Sequence, residues 1–243
     1  MTAPLPAVYL AAGEGLRLRP LTDEQPKAML DLGGIPLAER ALNVLRGAGV
    51  TEVVAVTGHR REAFSSLGDL VSEYRFNPRF TDAGNIYSLW CARDVVERGC
   101  YVINSDVLFE EEIARRLIAL ERTAILCSGT GEVDREAMKA VLDGGRLKRL
   151  SKRVPVSSNP EYIGLARIDP AHGPKLARVL DRFVASDQVH DYYEAAIEQL
   201  AGDHEVQVVR VDGLAWIEID DHDDLARARE EVLGRVVASG AGS

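Results

Sequence analysis

The chain has 243 residues, of which 46% are hydrophobic, and a formal net charge of −9. This allows one large α/β domain or two small ones with a sizeable core, and the acidic balance argues against a nucleic-acid surface. Three cysteines without a C-x-x-C pair argue against a disulfide framework or zinc site, a start (Met1 to Pro6) without basic residues argues against a signal peptide, and no apolar run approaches the ~18 residues of a membrane span, so a cytoplasmic location with no membrane or nucleic-acid partner is expected.

Val8 to Ala11 is a short apolar run and is read as a buried first strand. A polar loop punctuated by Gly and Pro follows, from Gly13 to about Met29. Pro36 opens a helical stripe of Leu37, Ala41, Leu42 and Leu45, which Gly47 and Gly49 close. Val53 to Val56 reads as a second buried strand. The opening is therefore strand, loop, helix, strand, the unit of a parallel sheet covered by helices. Tyr101 to Ile103 is a further central strand that ends in Asn104, Ser105 and Asp106. A helix through Ile113, Leu117 and Leu120 leads to a strand at Ala124 to Leu126.

From about Met138 to Ile168 the pattern changes to short strands (139–142, 146–150 and 162–168) joined by turn residues, which looks like a small antiparallel addition. Helices recur near 174–185 and 191–201, a strand near 205–211 and a last helix near 222–235. The expected fold is α/β: a Rossmann-like, mixed and mostly parallel sheet flanked by helices, with the antiparallel piece near 138–168. No linker or repeat interrupts residues 1–237, which are expected to form one domain ahead of a disordered tail at 238–243.

The loop after the first strand carries the chemistry. Gly13 and Gly15 let the backbone approach a phosphate and turn its amides into a nest of donors. Arg17 adds a planar fork suited to phosphate oxygens, and Lys27, fixed after Pro26, adds a point charge. The Walker A spacing is absent, and the third glycine of a dinucleotide fingerprint is replaced by Leu18. The glycine pair alone is compatible with a plain tight turn.

The acidic residues come next. Asp106 follows a buried strand, where open α/β sheets bind ligands, and a carboxylate there can hold Mg²⁺ against a phosphate chain. It lies too early to cap the helix that starts near Glu110. In the string Trp216 to Leu225, alternation puts Trp216, Glu218 and Asp220 on one face of a strand. Asp220 is read as a metal ligand and Asp221 as the cap of the following helix.

Taken together, Gly13, Gly15, Arg17, Pro20 to Thr22, Pro26 and Lys27 resemble the signature of the nucleotidyltransferases that make nucleoside-diphosphate sugars and related activated metabolites. The resemblance implies a nucleoside triphosphate held by Leu10, Ala11, Ala12, Gly13, Glu14 and Gly15. It also implies that Arg17 and Lys27 grip the triphosphate and that a late aspartate, matched by Asp220, joins Asp106 on Mg²⁺. Asn85 to Leu89, Glu161 to Ala166 and Glu218 to Asp220 look like the phosphocholine cytidylyltransferase branch, whose members activate inositol phosphate, phosphocholine or phosphonates with CTP. That likeness implies that Gly84, Asn85 and Ser88 border the base. Asn85 is also placed to cap its own helix.

Acceptor candidates are Lys139, Lys152, Arg153, Tyr162, Tyr192, Glu194 and Glu218. Lys152 sits in a Ser-Lys-x-x-Pro string shared with the branch. Arg153, where many relatives carry an acid, favours an acceptor with a second anion. Tyr192 and Glu194 favour an ammonium head group. Tyr193 falls on the helical stripe of Ala196, Ile197 and Leu200 and reads as core, with Asp191 a helix cap. The expected reaction transfers CMP from CTP to a small phosphorylated or phosphonylated metabolite and releases pyrophosphate. A sugar-1-phosphate nucleotidyltransferase and a nucleotide-sensing module without turnover are the alternatives, and oligomeric state is left open.

Overall fold

The computed structural model describes residues 4–129, 136–154 and 159–240. Strand β1 (Ala7–Ala11) is buried along its whole length. Val8 and Leu10 face one helical layer while Ala7, Tyr9 and Ala11 face the other, so the alternation of a strand serves two cores at once. Helix α1 (Leu37–Gly47) and strand β2 (Val53–Thr57) follow as the sequence predicts. β3 (Glu73–Phe76) is a short edge strand whose residues are mostly exposed. Helices α2 (Asn85–Cys91) and α3 (Arg93–Glu97) lead to β4 (Cys100–Asn104), β5 (Val107–Phe109), α4 (Glu111–Ala119) and β6 (Ala124–Ser128).

Next come β7 (Lys139–Asp143), β8 (Arg146–Ser151) and β9 (Glu161–Ile168). Gly144 and Gly145 both take positive φ, 57° and 82°, as the tight turn between β7 and β8 requires. The chain ends with α5 (Gly173–Ala185), α6 (Tyr193–Asp203), β10 (Gln207–Arg210), β11 (Trp216–Glu218), α7 (His222–Arg227) and α8 (Leu233–Gly240). The tail expected at 238–243 begins inside α8, and 241–243 lie outside the described residues, as does Ser157-Ser158 of the turn expected before β9. No described helix is long and apolar enough to cross a membrane.

The sheet is mixed and has the order β3-β2-β1-β4-β9-β6-β10-β8-β7. The first four strands run parallel, and β10 runs parallel to β6. β9, expected within a small antiparallel addition, lies antiparallel between β4 and β6 in the middle of the sheet. The hairpin β7–β8 is the true appendage. Helices α2, α3, α5 and α6 cover one face, and α1 and α4 the other. A separate two-stranded sheet joins β11 to β5, and a third core cluster packs it beneath the last helices.

This order positions the site. The chain leaves β1 for β2 on one side and returns to β4 on the other. The segments after β1 and β4 therefore diverge at a topological switch point, where open α/β sheets bind ligands.

Two glycines test the packing of the α-helical layer. A methyl group on Gly173 would clash with the carbonyl oxygens of Val96 and Glu97, whereas one on Gly202, in α6, meets nothing within 4 Å. Gly173→Ala is expected to lower stability by about 1–3 kcal/mol, and Gly202→Ala to raise it by up to ~1 kcal/mol. Chemical denaturation of both variants checks the pair, and equal shifts would contradict the packing.

Candidate active site

The loop after β1 is pinned by its own residues. Gly15 has φ of 64°, and a Cβ there would lie 3.0 Å from Lys27 Cβ and 3.1 Å from Thr22 Cγ2. The Thr22 hydroxyl donates to the Gly15 carbonyl at 2.8 Å. Lys27 starts a short 3₁₀ turn whose next residues, Ala28 and Met29, are buried, so its stem passes directly under Gly15. Leu18, standing where a dinucleotide loop would need glycine, is fully buried core. Gly13 has open space around it.

Lys27 Nζ donates to Asp106 Oδ2 and to Asp220 Oδ1, each at 2.8 Å. Arg17 pairs with the other oxygen of Asp220 at 2.6 Å. Asp106 lies just past the end of β4, and Asp220 lies two residues past β11. The Ile219 N–H donates to the Asp106 carbonyl at 2.9 Å and locks the two segments together. Asp221 caps α7, accepting from the N–H groups of Asp223 and Asp224, as its sequence position predicts.

Burial opposes the charge on Lys27, but Asp106 and Asp220 outweigh it and hold the ammonium above its ordinary pKa. Burial likewise opposes the Asp220 carboxylate, and Lys27 and Arg17 overcome it, so that pKa falls. For Glu218 the pull of Lys27 is too weak: burial, then Asp106 and Asp220, push its carboxyl well above the usual range.

Asp106, Glu218 and Asp220 each offer an oxygen within 4.8 Å of the others. Asp106 Oδ1 is buried and has no hydrogen-bond partner among the described residues. An all-carboxylate donor set with an orphaned buried oxygen fits a hard divalent cation such as Mg²⁺. Glu218, expected among the acceptor contacts, stands in this acidic group as well as on the cleft wall.

Two cavities meet here. The smaller, about 180 Å³, runs between Leu10 to Gly13 and the segment holding Gly84, Asn85 and Ser88. Its wall includes Asn77, which the sequence reading missed and whose side chain donates to Ser88 Oγ at 2.9 Å. Glu14 does not line it and pairs with Arg19 at 3.8 Å instead. The larger cleft, about 760 Å³, opens beyond Asp106 and Asp220 toward Lys152, Tyr162, Tyr192 and Glu194. Arg17 borders it too. Asn85, Asn104 and Asp106 line both cavities.

The structure corrects several placements. Lys139 is fully buried, donates to the Ala137 carbonyl at 2.7 Å and does not line the cleft. It starts β7, opposite Glu161 of β9, and strand pairing takes it inward. Arg153 is exposed on the turn after β8 and away from the cleft lining, which removes the argument for a second anion. Asn85 is the first residue of α2 and makes no capping bond there, because its oxygen accepts from Tyr193 N–H instead. Asp191 does not cap α6. Tyr193 is core as expected, yet its hydroxyl reaches Asn104 Oδ1 at 3.0 Å and the Tyr162 hydroxyl at 2.7 Å. Asn104 needs Gly164 opposite, where a Cβ would lie 2.9 Å from its side chain.

Glu194 is 4% exposed, and its Oε2 has no partner among the described residues. Burial pushes its carboxyl up to about 7 from an ordinary 4.5. Between those values the folded state keeps a proton that the unfolded state loses, so this residue costs stability as pH rises and the cost is complete above about 7. Glu194→Gln is therefore expected to be more stable than the parent by ~1–3 kcal/mol at pH 8, and the gap should shrink toward pH 4. Urea midpoints at the two pH values measure it, and a pH-independent difference would contradict the assignment.

The model of the MobA-like NTP transferase domain matches residues 7–152. The chain is 29% identical over 241 residues to the CMP-5'-(3-aminopropyl)phosphonate synthase of Streptomyces rubellomurinus, covering 93% of this chain but only 38% of that relative. It is 26% identical over 229 residues to the choline-phosphate cytidylyltransferase of Streptococcus pneumoniae, covering 93% and 97%. The solved structure of the CTP:phosphocholine cytidylyltransferase from Streptococcus pneumoniae superimposes with a TM-score of 0.83 at 25% identity, over 93% of this chain and 98% of that one. With more than half its length matched by the family model, and with the glycine loop, Lys27 and the carboxylates assembled at the switch point, the chain belongs to the nucleotidyltransferases of the MobA-like NTP transferase domain family.

Proposed function

We propose that the protein is a Mg²⁺-dependent cytidylyltransferase that moves CMP from CTP to a small phosphorylated or phosphonylated acceptor and releases pyrophosphate. The observation that carries the reading is the position of Lys27. It lies between two carboxylates at the meeting point of two cavities, where a phosphorus atom shared by nucleotide and acceptor would sit. The nucleotide occupies the smaller cavity. There Leu10 to Gly13 and Gly15 face its phosphates, and Gly84 and Ser88 border the base, with Ser88 oriented by Asn77. The acceptor occupies the larger cleft.

Asp106 and Asp220 would hold the Mg²⁺, which when bound neutralises phosphate charge and orients the chain of phosphates. An oxygen of the acceptor phosphate or phosphonate is already anionic at neutral pH, so the site needs no general base. It attacks the α-phosphorus in line, forming one P–O bond as the bond to pyrophosphate breaks. Lys27 and Arg17 place positive charge where it is needed, and the chain's remaining task is positioning.

The choice of CTP rests on the relatives, two of which are named as cytidylyltransferase or CMP-forming enzymes. The walls of the larger cleft favour an acceptor with a cationic nitrogen. Glu161, Glu194 and Glu218 line it, and Lys152 is a cation among them, lying 4.9 Å over the Tyr192 ring. An amine matches that acidic surface better than a second anion does.

Lys27→Ala is expected to reduce turnover by ~10² to 10³, the usual loss when one preorganised charge contact is removed. Asp106→Asn and Asp220→Asn are expected to lose activity most at limiting Mg²⁺. Pyrophosphate release measured across a Mg²⁺ titration checks all three, and parent-like rates in any of them would remove that residue from the mechanism.

Substrate choice is tested by pairing CTP, UTP, dTTP and GTP with phosphocholine, 2-aminoethylphosphonate, inositol phosphate, a carboxylated phosphonate and glucose-1-phosphate. CTP with an amine-bearing acceptor is expected to be preferred, with UTP at least about tenfold poorer, since the amine and carbonyl edges differ by one hydrogen-bond polarity. Efficient use of dTTP or UTP with glucose-1-phosphate, and none of CTP, would overturn this reading.

A further inference from the structure

The wall between the two cavities is built from two segments far apart in sequence. The Gly84 N–H donates to the Val189 carbonyl at 2.7 Å. Gly84 has no room for a side chain, because a Cβ would strike the carbonyl oxygens of His190 and Asp191. The start of α2 therefore rests on the backbone that leads into α6.

Asn85 completes this joint. Its Oδ1 accepts from the Tyr193 N–H at 2.8 Å across 108 positions of sequence. That N–H belongs to the first turn of α6, where helices leave donors without intrahelical partners, and α6 has no side-chain cap from its own N-cap residue, Tyr192. The Asn85 side chain also acts on the buried carboxyl of Glu194, favouring its charged form against the larger effect of burial. The side chain of the same residue is fixed at its tip, where the Tyr193 hydroxyl donates to Asn104 Oδ1 at 3.0 Å. Tyr192 and Glu194 flank the anchored residue and both line the larger cleft.

We infer that Asn85 is a positioning residue for the acceptor: it seats the first turn of α6 so that Tyr192 and Glu194 face the larger cleft, and it does not read the base. Its Oδ1 is committed to the Tyr193 N–H of α6, although the residue borders the nucleotide cavity. The inference rests on the proposed function in one respect, the assignment of the larger cleft to the acceptor.

The test is a cycle of Asn85→Asp, Glu194→Gln and the double variant at pH 8. Asn85→Asp keeps the acceptor atom for Tyr193 N–H but turns the group facing Glu194 into a second carboxylate. It is expected to raise acceptor KM at least about tenfold while CTP KM stays within threefold and the CTP-to-UTP preference is unchanged. The double variant regains a donor opposite the new carboxylate, so its acceptor KM should be no worse than that of Glu194→Gln alone. Melting temperatures of the same four proteins need no substrate, and the loss caused by Asn85→Asp should disappear when Glu194→Gln is already present.

A raised CTP KM or a relaxed base preference in Asn85→Asp would make Asn85 a base reader and overturn the inference. Multiplicative KM effects, or melting shifts that simply add, would do so as well. A parent protein that turns over none of the acceptors would instead strike at the proposed function, and the melting cycle would still decide whether Asn85 and Glu194 are coupled.

Discussion

The ammonium of Lys27 is the constraint on which the site depends. Two carboxylates, from the ends of two different sheets, converge within hydrogen-bond reach of it. Without a cation between them, Asp106 and Asp220 would repel each other in a half-buried setting, and Glu218 beside them is already pushed toward its neutral form. The glycine at position 15 exists for the same purpose, since only a residue without a side chain lets the loop close over the Lys27 stem. Loop, strand end and late aspartate thus form one electrostatic unit.

The larger architecture divides the space around that unit. β1 and β4 diverge at the switch point and open the smaller cavity, while the small β5–β11 sheet brings Asp220 and Glu218 to the opposite lip. β9 in mid-sheet places Tyr162 beneath the larger cleft, and its Gly164 clears space for Asn104. A hydrogen-bonded run from Tyr162 through Tyr193 to Asn104 then lines the partition between the cavities. Such a partition suits the proposed reaction, in which two anionic substrates meet at one phosphorus and nowhere else.

Much of this is legible in the sequence, for physical reasons. The loop from Gly13 to Lys27 stands out through the resemblance of the whole string, and the fold supplies a physical reason at Gly15, where a Cβ would crowd Lys27 and Thr22. Asp220 and Asp221 separate cleanly because a helix cap needs a residue immediately before the helix, which only Asp221 supplies. The layers follow from the switch between strand and helix periodicity. What the sequence hides is pairing. A short apolar run marks 162–168 as a strand but carries no information about its neighbours, so its place between β4 and β6 is visible only in the fold. Lys139 reads as an acceptor contact because nothing local reveals that β7 folds its side chain inward. Asn77 is missed because β3 is a short, exposed edge strand with no apolar signal to point toward its end. Asn85 has the look of a cap for its own helix, whereas its partner lies on another helix.

The central claim is that Lys27, Asp106 and Asp220 surround the α-phosphate of a bound nucleotide. The most direct measurement is a crystal structure with a non-hydrolysable CTP analogue and Mn²⁺ in place of Mg²⁺, using the anomalous signal to locate the metal. A single strong peak is expected at coordination distance, about 2.1 Å, from oxygens of Asp106 and Asp220, with Lys27 on the phosphate chain and the base in the cavity beside Ser88. A peak away from these carboxylates, or a base lodged in the larger cleft beside Tyr192, would contradict it.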